Sequence, residues 1–288
     1  MANSNDIIQN DENTIEIDPK IPLLGSYIAI FLNNAQIADE NGNDRALFYR
    51  GQSDKAYKLT PSVFRKGLLA KEHSLIQESL LNSPIEFSNN DTSFERLIKM
   101  QHYGLPTRLL DVTLNPLVAL YFACKELDDC DGEVIVFYEY MKYPSTLEVR
   151  YLVELAEYSG STERQMLGFL SERGFGNIGL GDLTRITNIP IKAPRSNERI
   201  RRQQGAFIIL GVLGSEEGNP YQKASFDLKP LMVRDFGDSI SRSIVIPKEH
   251  KTKLLKELDV LGINNAVLFP ELEHQTAYIR NLHEEVLS

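Results

Sequence analysis

The chain has 288 residues, 42% of them hydrophobic and 25% charged, a balance that fits an ordinary globular protein able to bury about three quarters of its unfolded surface. Its two cysteines, Cys124 and Cys130, have no partners at metal-site spacing, which excludes a disulfide framework or a zinc finger and predicts reduced thiols. A formal net charge of −9 argues against an overall basic nucleic-acid binder, and neither a leader pattern nor the roughly 20 apolar residues of a membrane span is found, so a cytoplasmic protein without membrane contact is expected.

Residues 1–20, rich in Asn, Asp and Glu, predict a flexible tail. Residues 21–34 repeat Leu24, Ile28, Phe31 and Leu32 at helical spacing. Residues 45–51 (RALFYRG) predict a strand that ends at a turn, and residues 64–81 a helix. Thr92 and Glu95 form a capping-box pattern ahead of a helix that Gly104 stops. The run TRLLDVT predicts a strand, and Asn115-Pro116 opens a helix with proline in its first turn.

Asp131-Gly132 predicts a turn before the strand EVIVFYEY. Residues from about 141 to 200 show no single period and include GFGNIGLGDL, so an irregular insertion is expected there. Residues 205–213 and 243–247 predict strands, and residues 251–261 an amphipathic helix stopped by Gly262. NNAVLFPEL predicts a last strand and HQTAYIRNLHEEV a C-terminal helix. One α+β domain over residues 21–288 accounts for this order.

Polar residues interrupt apolar elements at four places, as functional sites do. Arg50, between Tyr49 and Gly51-Gln52, offers a fixed cationic fork for a phosphate or carboxylate, and Gly51 would let an anion approach the backbone. The alternative is an internal ion pair. In the segment 102–116, Asp111 and Thr113 share one side of a strand, with His102, Tyr103, Arg108 and Asn115 nearby. Asp111, Thr113 or Asn115 is equally a helix cap. Residues 197–207 hold Arg199, Arg201, Arg202, Gln203 and Gln204, suited to phosphates or to a solvated turn balanced by Glu198. Glu271 and Glu273 share a face if extended, or decorate a helix start. No GxGxxG after a strand, Walker loop, HExxH or GxSxG is present, so dinucleotide oxidoreductases, P-loop NTPases, zincins and α/β-hydrolases have no support.

FYRGQ (48–52), KLTPSVFR (58–65), HYGLPTRLLDVTLNPLVALYFA (102–123), RRQQGAFI (201–208) and the closing IVIP and LLKELDVLGINNAVLFPELE together resemble the FRG domain family. A looser likeness is to ADP-ribosyltransferases of the Arg–Ser–Glu type. Arg50-Gly51 resembles their first element, Asp111-Val112-Thr113 their second, and Glu271-Leu272-Glu273 their third. Asp-Val-Thr departs from the Ser-Thr-Ser pattern of the second, and Glu271 follows a proline.

This likeness implies a mixed two-sheet core with flanking helices, and NAD as substrate. It casts Glu271 or Glu273 as the catalytic carboxylate, Arg50 as phosphate holder, Thr113 as support for Arg50 and the ribose, and Tyr49 or Tyr103 as a stacking ring. Gly51, Gln52, His102, Arg108, Asp111, Asn115, Arg202 and Gln204 would line the cleft. It further implies a macromolecular acceptor, protein or nucleic acid, and an effector of the toxin or phage-defence kind with a neutralising protein partner. The other reading is a non-catalytic FRG module that binds a nucleotide, nucleic acid or protein.

Overall fold

The computed structural model describes residues 23–40, 46–87, 91–126, 129–160, 163–176, 188–195, 197–210, 212–213, 229–230 and 242–285. The expected tail and most of the glycine-rich stretch lie outside the described residues. The chain is α+β. Its strands are β1 (Ala46–Gln52), β2 (Leu109–Thr113), β3 (Gly132–Glu139), β4 (Ile189–Ile191), β5 (Gly205–Ile209), β6 (Val212–Leu213), β7 (Lys229–Pro230) and β8 (Arg242–Ile246). The helices are α1 (Leu23–Glu40), α2 (Glu72–Asn82), α3 (Ser93–His102), α4 (Pro116–Cys124), α5 (Leu147–Glu154), α6 (Glu163–Glu172), α7 (Glu198–Arg202), α8 (Lys248–Val260), α9 (Asn265–Leu268) and α10 (Leu272–Glu285). No helix among the described residues is long and apolar enough to cross a membrane.

Six strands form one sheet in the order β4-β5-β2-β1-β3-β8, and β6 pairs with β7 separately. Every ladder between these strands is antiparallel. This differs from the expected mixed two-sheet core: β1 and β2 join two three-stranded halves edge to edge. The join is narrow. β1 pairs with β3 over its whole length, from Ala46↔Glu139 to Gln52↔Glu133, and β2 pairs with β5 from Leu109↔Ile209 to Thr113↔Gly205. Between β1 and β2 the only registered pair is Tyr49↔Thr113.

Strand alternation feeds the two faces of the sheet. On β3, Val134 and Val136 pack with α1, α4 and α8 through Tyr27, Leu120 and Leu254. Ile135 and Phe137 point the other way, onto Phe48, Val112 and Ile208. Being covered on both faces explains the continuous apolar run of this strand. A third cluster joins α2, α3 and α5 to the β2–β5 half through Ile76, Leu97, Leu152, Leu109 and Phe207.

Helix α4 is apolar all round because it is buried all round, with Val118, Ala119, Leu120, Ala123 and Cys124 fully inaccessible. It lies directly on β1 and β3. A Cβ at Gly51 would fall 1.8 Å from the Ala119 carbonyl oxygen, and one at Gly132 would fall 2.3 Å from that of Ala123. The close neighbour that requires glycine at 51 is therefore a helix backbone, where the sequence suggested an anion.

Three further expectations change. The helix expected over residues 64–81 starts only at Glu72, because Lys66 and Gly67 take positive φ values of 54° and 72° and leave short 3-10 turns ahead of it. The expected irregular insertion holds α5 and α6. In α5 the buried Val149, Leu152 and Val153 sit at i, i+3 and i+4, a stripe too short to dominate a long window. NNAVLFPEL is not a strand: the Asn264 side chain accepts from Val267 N–H and caps α9, and Pro270 separates α9 from α10.

Replacing Gly51 with Ala forces α4 off the strand. Overpacking of this kind costs roughly 1–3 kcal/mol or more, so Gly51→Ala is expected to lower the denaturant midpoint sharply in equilibrium unfolding.

Candidate functional site

Arg50 sits where β1 and β2 part. Its Nη1 donates to the Asp111 carbonyl oxygen at 2.7 Å, and its buried Nε has no hydrogen-bond partner among the described residues. Burial lowers its pKa from the ordinary arginine value, with Asp111 opposing and Arg65 adding to the shift. Two cavities share this guanidinium. The first, of about 260 Å³, is lined by Arg50, Gln101, His102, Asp111, Thr113 and Arg199 among others. The second, of about 220 Å³, lies against Arg50, Thr60, Ser62, Arg65, Leu105 and Asp111.

Asp111 lies between the two cavities. It exposes surface to the open cleft, yet protein surrounds its carboxyl closely enough for desolvation to raise its pKa against the pull of Arg50, Arg199 and Gln101. Gln101 Nε2 donates to Asp111 Oδ1 at 2.8 Å, and Gln101 Oε1 in turn accepts from the Thr107 hydroxyl. Gln101 is thus a site residue that the sequence did not single out. Its signal was its place in the last turn of α3, beside His102.

Thr113 is buried. Its hydroxyl donates to the Gln203 carbonyl at 2.6 Å and accepts from Asn115 N–H at 3.0 Å. Asn115 caps α4, accepting from Leu117 N–H at 2.9 Å. These two residues therefore fix the strand–helix corner behind the cleft, and Asn115 does not line it.

On the facing side, α7 turns Arg199 and Gln203 toward the cleft. The sequence had singled out Arg202 and Gln204. Asn197 caps α7 by accepting from Ile200 N–H, which sets the helical phase so that 199 and 203, four apart, share a face. Arg201 and Arg202 both pair with Glu198, and Arg202 Nη1 donates to the Val267 carbonyl at 3.2 Å. The backbone of Gln204 takes φ 46° and accepts from Leu114 N–H at 3.0 Å. Gln203 Nε2 donates to the Leu268 carbonyl at 3.1 Å, and the Arg199 guanidinium lies 4.8 Å from the Phe269 ring centre. Together these contacts dock the α9–α10 corner beside the cleft.

That corner carries Glu271. Its Oε1 is 3.7 Å from His102 Nε2, and its Oε2 is buried without a hydrogen-bond partner among the described residues. Glu273, in the first turn of α10, is 81% exposed and faces His274. Glu271 immediately precedes α10 and Glu273 lies in its first turn, so of the two alternatives read from the sequence the helix start describes this pair.

Four other residues named from sequence sit apart from the cavity interior or are occupied by the fold. Arg108 is fully buried and bound at both ends of its fork by Glu72, with Nη1 on the Leu152 carbonyl at 2.9 Å, so it holds α2 and α5 together beneath the cleft wall. Gln52 is buried and donates to Glu133 at 2.8 Å and to the Tyr57 carbonyl at 3.0 Å. Tyr49 borders the cleft, but its ring is buried edge-on against Phe31 at 5.9 Å. Tyr103 is 68% exposed and lines a separate groove between α2 and α3.

An arginine fork at the junction of two sheet halves thus faces a helix-borne Arg199 over a small cleft in this α+β fold. Residues 45–132 match the family model of the FRG domain, which supports the resemblance read from the sequence over that stretch. No curated protein and no solved structure matches the chain. The matched span holds Arg50, Gln101, His102, Asp111 and Thr113, while Arg199, Gln203 and Glu271 lie beyond it.

Asp111 has a raised pKa in the folded state, so stability falls as the pH rises from the ordinary carboxylate value to the raised one and stays lowered above it. Asp111→Asn removes this cost and still accepts from Gln101. The variant is expected to melt higher than wild type at neutral pH, and the difference should close as the pH falls to about 3, where both states of the wild type are protonated.

Proposed function

We propose that the cleft binds NAD and that the protein is an ADP-ribosyltransferase-like enzyme acting on a macromolecular acceptor. The observation that carries this reading is that Arg50, the Asp111–Thr113 stretch and His102 line one hollow, and that His102 lies 3.7 Å from the Glu271 carboxylate.

In this reading, Arg50 and Arg199 hold the pyrophosphate, since guanidinium–phosphate hydrogen bonds are charge-assisted and directional. Breaking the nicotinamide–ribose bond develops positive charge on the ribose, so a carboxylate there stabilises mainly the transition state. Glu271 fits that role better than Glu273, because its free Oε2 is buried beside His102 while Glu273 points to solvent. Thr113, its hydroxyl proton committed to the Gln203 carbonyl, acts by fixing the corner that presents Asp111. The acceptor is a protein or nucleic acid. The effector role, with its neutralising partner, rests on the resemblance alone.

The second reading, a non-catalytic FRG module that holds a nucleotide or phosphorylated partner, is favoured by one observation. Glu271 stands behind His102, outside the residues that line the cavity. Label transfer from NAD separates the two. Glu271→Gln is expected to lower transfer by about 10²–10³-fold, the weight of one preorganised electrostatic group, while Glu273→Gln stays near wild type. Wild-type protein that binds NAD and turns none over with any acceptor in a cell extract would leave the module reading.

A further inference from the structure

We propose that the cavity on the far side of Arg50 is a second phosphate subsite, gripped by Arg65 together with Arg50. The first cavity, at about 260 Å³, falls below the roughly 300–1,000 Å³ usual for sites that enclose a drug-sized ligand. It holds about half a dinucleotide. The second cavity, about 220 Å³, adjoins it through Arg50 and Asp111, so one ligand can straddle the guanidinium. As the seat of the adenylate half of NAD the subsite rests on the transferase reading; as a phosphate site it does not.

The chemistry of the lining points to a phosphate. Arg65 Nε and Nη2 both donate to the Thr60 carbonyl, at 3.1 and 2.8 Å. This fixes the plane of the guanidinium and leaves Nη1 uncommitted. Arg50 spends only Nη1 on Asp111, and its Nε is buried without a partner among the described residues. Neither arginine forms a salt bridge among the described residues, and the one carboxylate between them, Asp111, is tied to Gln101. Two like charges beside one cavity repel each other, and an anion with several acceptor oxygens reverses that cost. The Ser62 hydroxyl accepts from Thr107 N–H at 3.2 Å, which leaves its own proton to donate.

Calorimetric titration of the full chain with AMP, nicotinamide mononucleotide and inorganic pyrophosphate tests the site in wild type, Arg65→Gln and Arg65→Lys. Gln removes the charge, and Lys keeps it while losing the double grip on Thr60. The expected result is that Arg65→Gln weakens AMP by about tenfold or more, the weight of a charged hydrogen bond, leaves nicotinamide mononucleotide unchanged, and is partly rescued in Arg65→Lys. If pyrophosphate shows that pattern and AMP does not bind, the site still stands, but its phosphate comes from a separate molecule and the dinucleotide reading loses its second half. Equal loss in both variants, or no loss in either, would mark Arg65 as a structural residue of the 60–65 turn and overturn the proposal.

Discussion

A single charged hydrogen bond, from the Arg50 guanidinium to the Asp111 carbonyl, spans the place where the sheet stops being a sheet. Beyond Tyr49↔Thr113 no registered pair joins β1 to β2. A bond of this type is worth about 1.5–3 kcal/mol, and here it takes over from main-chain pairing so that the two edges can stay apart. The cleft exists because the ladder is interrupted. Two strand edges that part inside a protein would leave buried backbone groups without partners, and a side-chain fork covers that deficit while keeping nitrogens free for a ligand.

The surrounding elements each answer to that gap. Gly51 lets α4 lie against β1, so the helix that follows β2 returns beneath the strand that carries Arg50. Thr113 and Asn115 fix the turn into that helix. Helix α3 supplies Gln101 and His102, α7 supplies Arg199, and the α9–α10 corner brings Glu271. Below the wall, the Arg108–Glu72 pair is satisfied on every side and keeps α2 against β2. Charges that face the cleft keep free hydrogen-bonding capacity, while charges beneath it have none to spare. That contrast separates Arg50 from the structural Arg108 more clearly than burial does.

Much of this frame was legible from residue patterns. The capping box at Thr92, the Asn115-Pro116 helix start and the strand runs of β1, β2 and β3 all rest on local chemistry that tertiary context left alone. What was not legible depended on partners distant in sequence. Gly51 answers to Ala119, Arg108 answers to Glu72, and a single sequence carries neither pairing. NNAVLFPEL misled because a short apolar run fits strand and helix alike, and the Asn264 cap was the signal that decides it. Which of the residues 199–204 reach the cleft follows from helical phase: the Asn197 cap brings Arg199 and Gln203 to it, while Arg202 pairs with Glu198.

Arg50 is the clasp between β1 and β2 and, in the proposed function, the anion holder. Isothermal titration of ADP-ribose into wild type and a folded Arg50→Ala variant measures that directly. The expected loss is about 1.5–3 kcal/mol of binding free energy, roughly 10- to 150-fold in Kd. Unchanged affinity would contradict the account and leave Arg50 as a strand clasp alone.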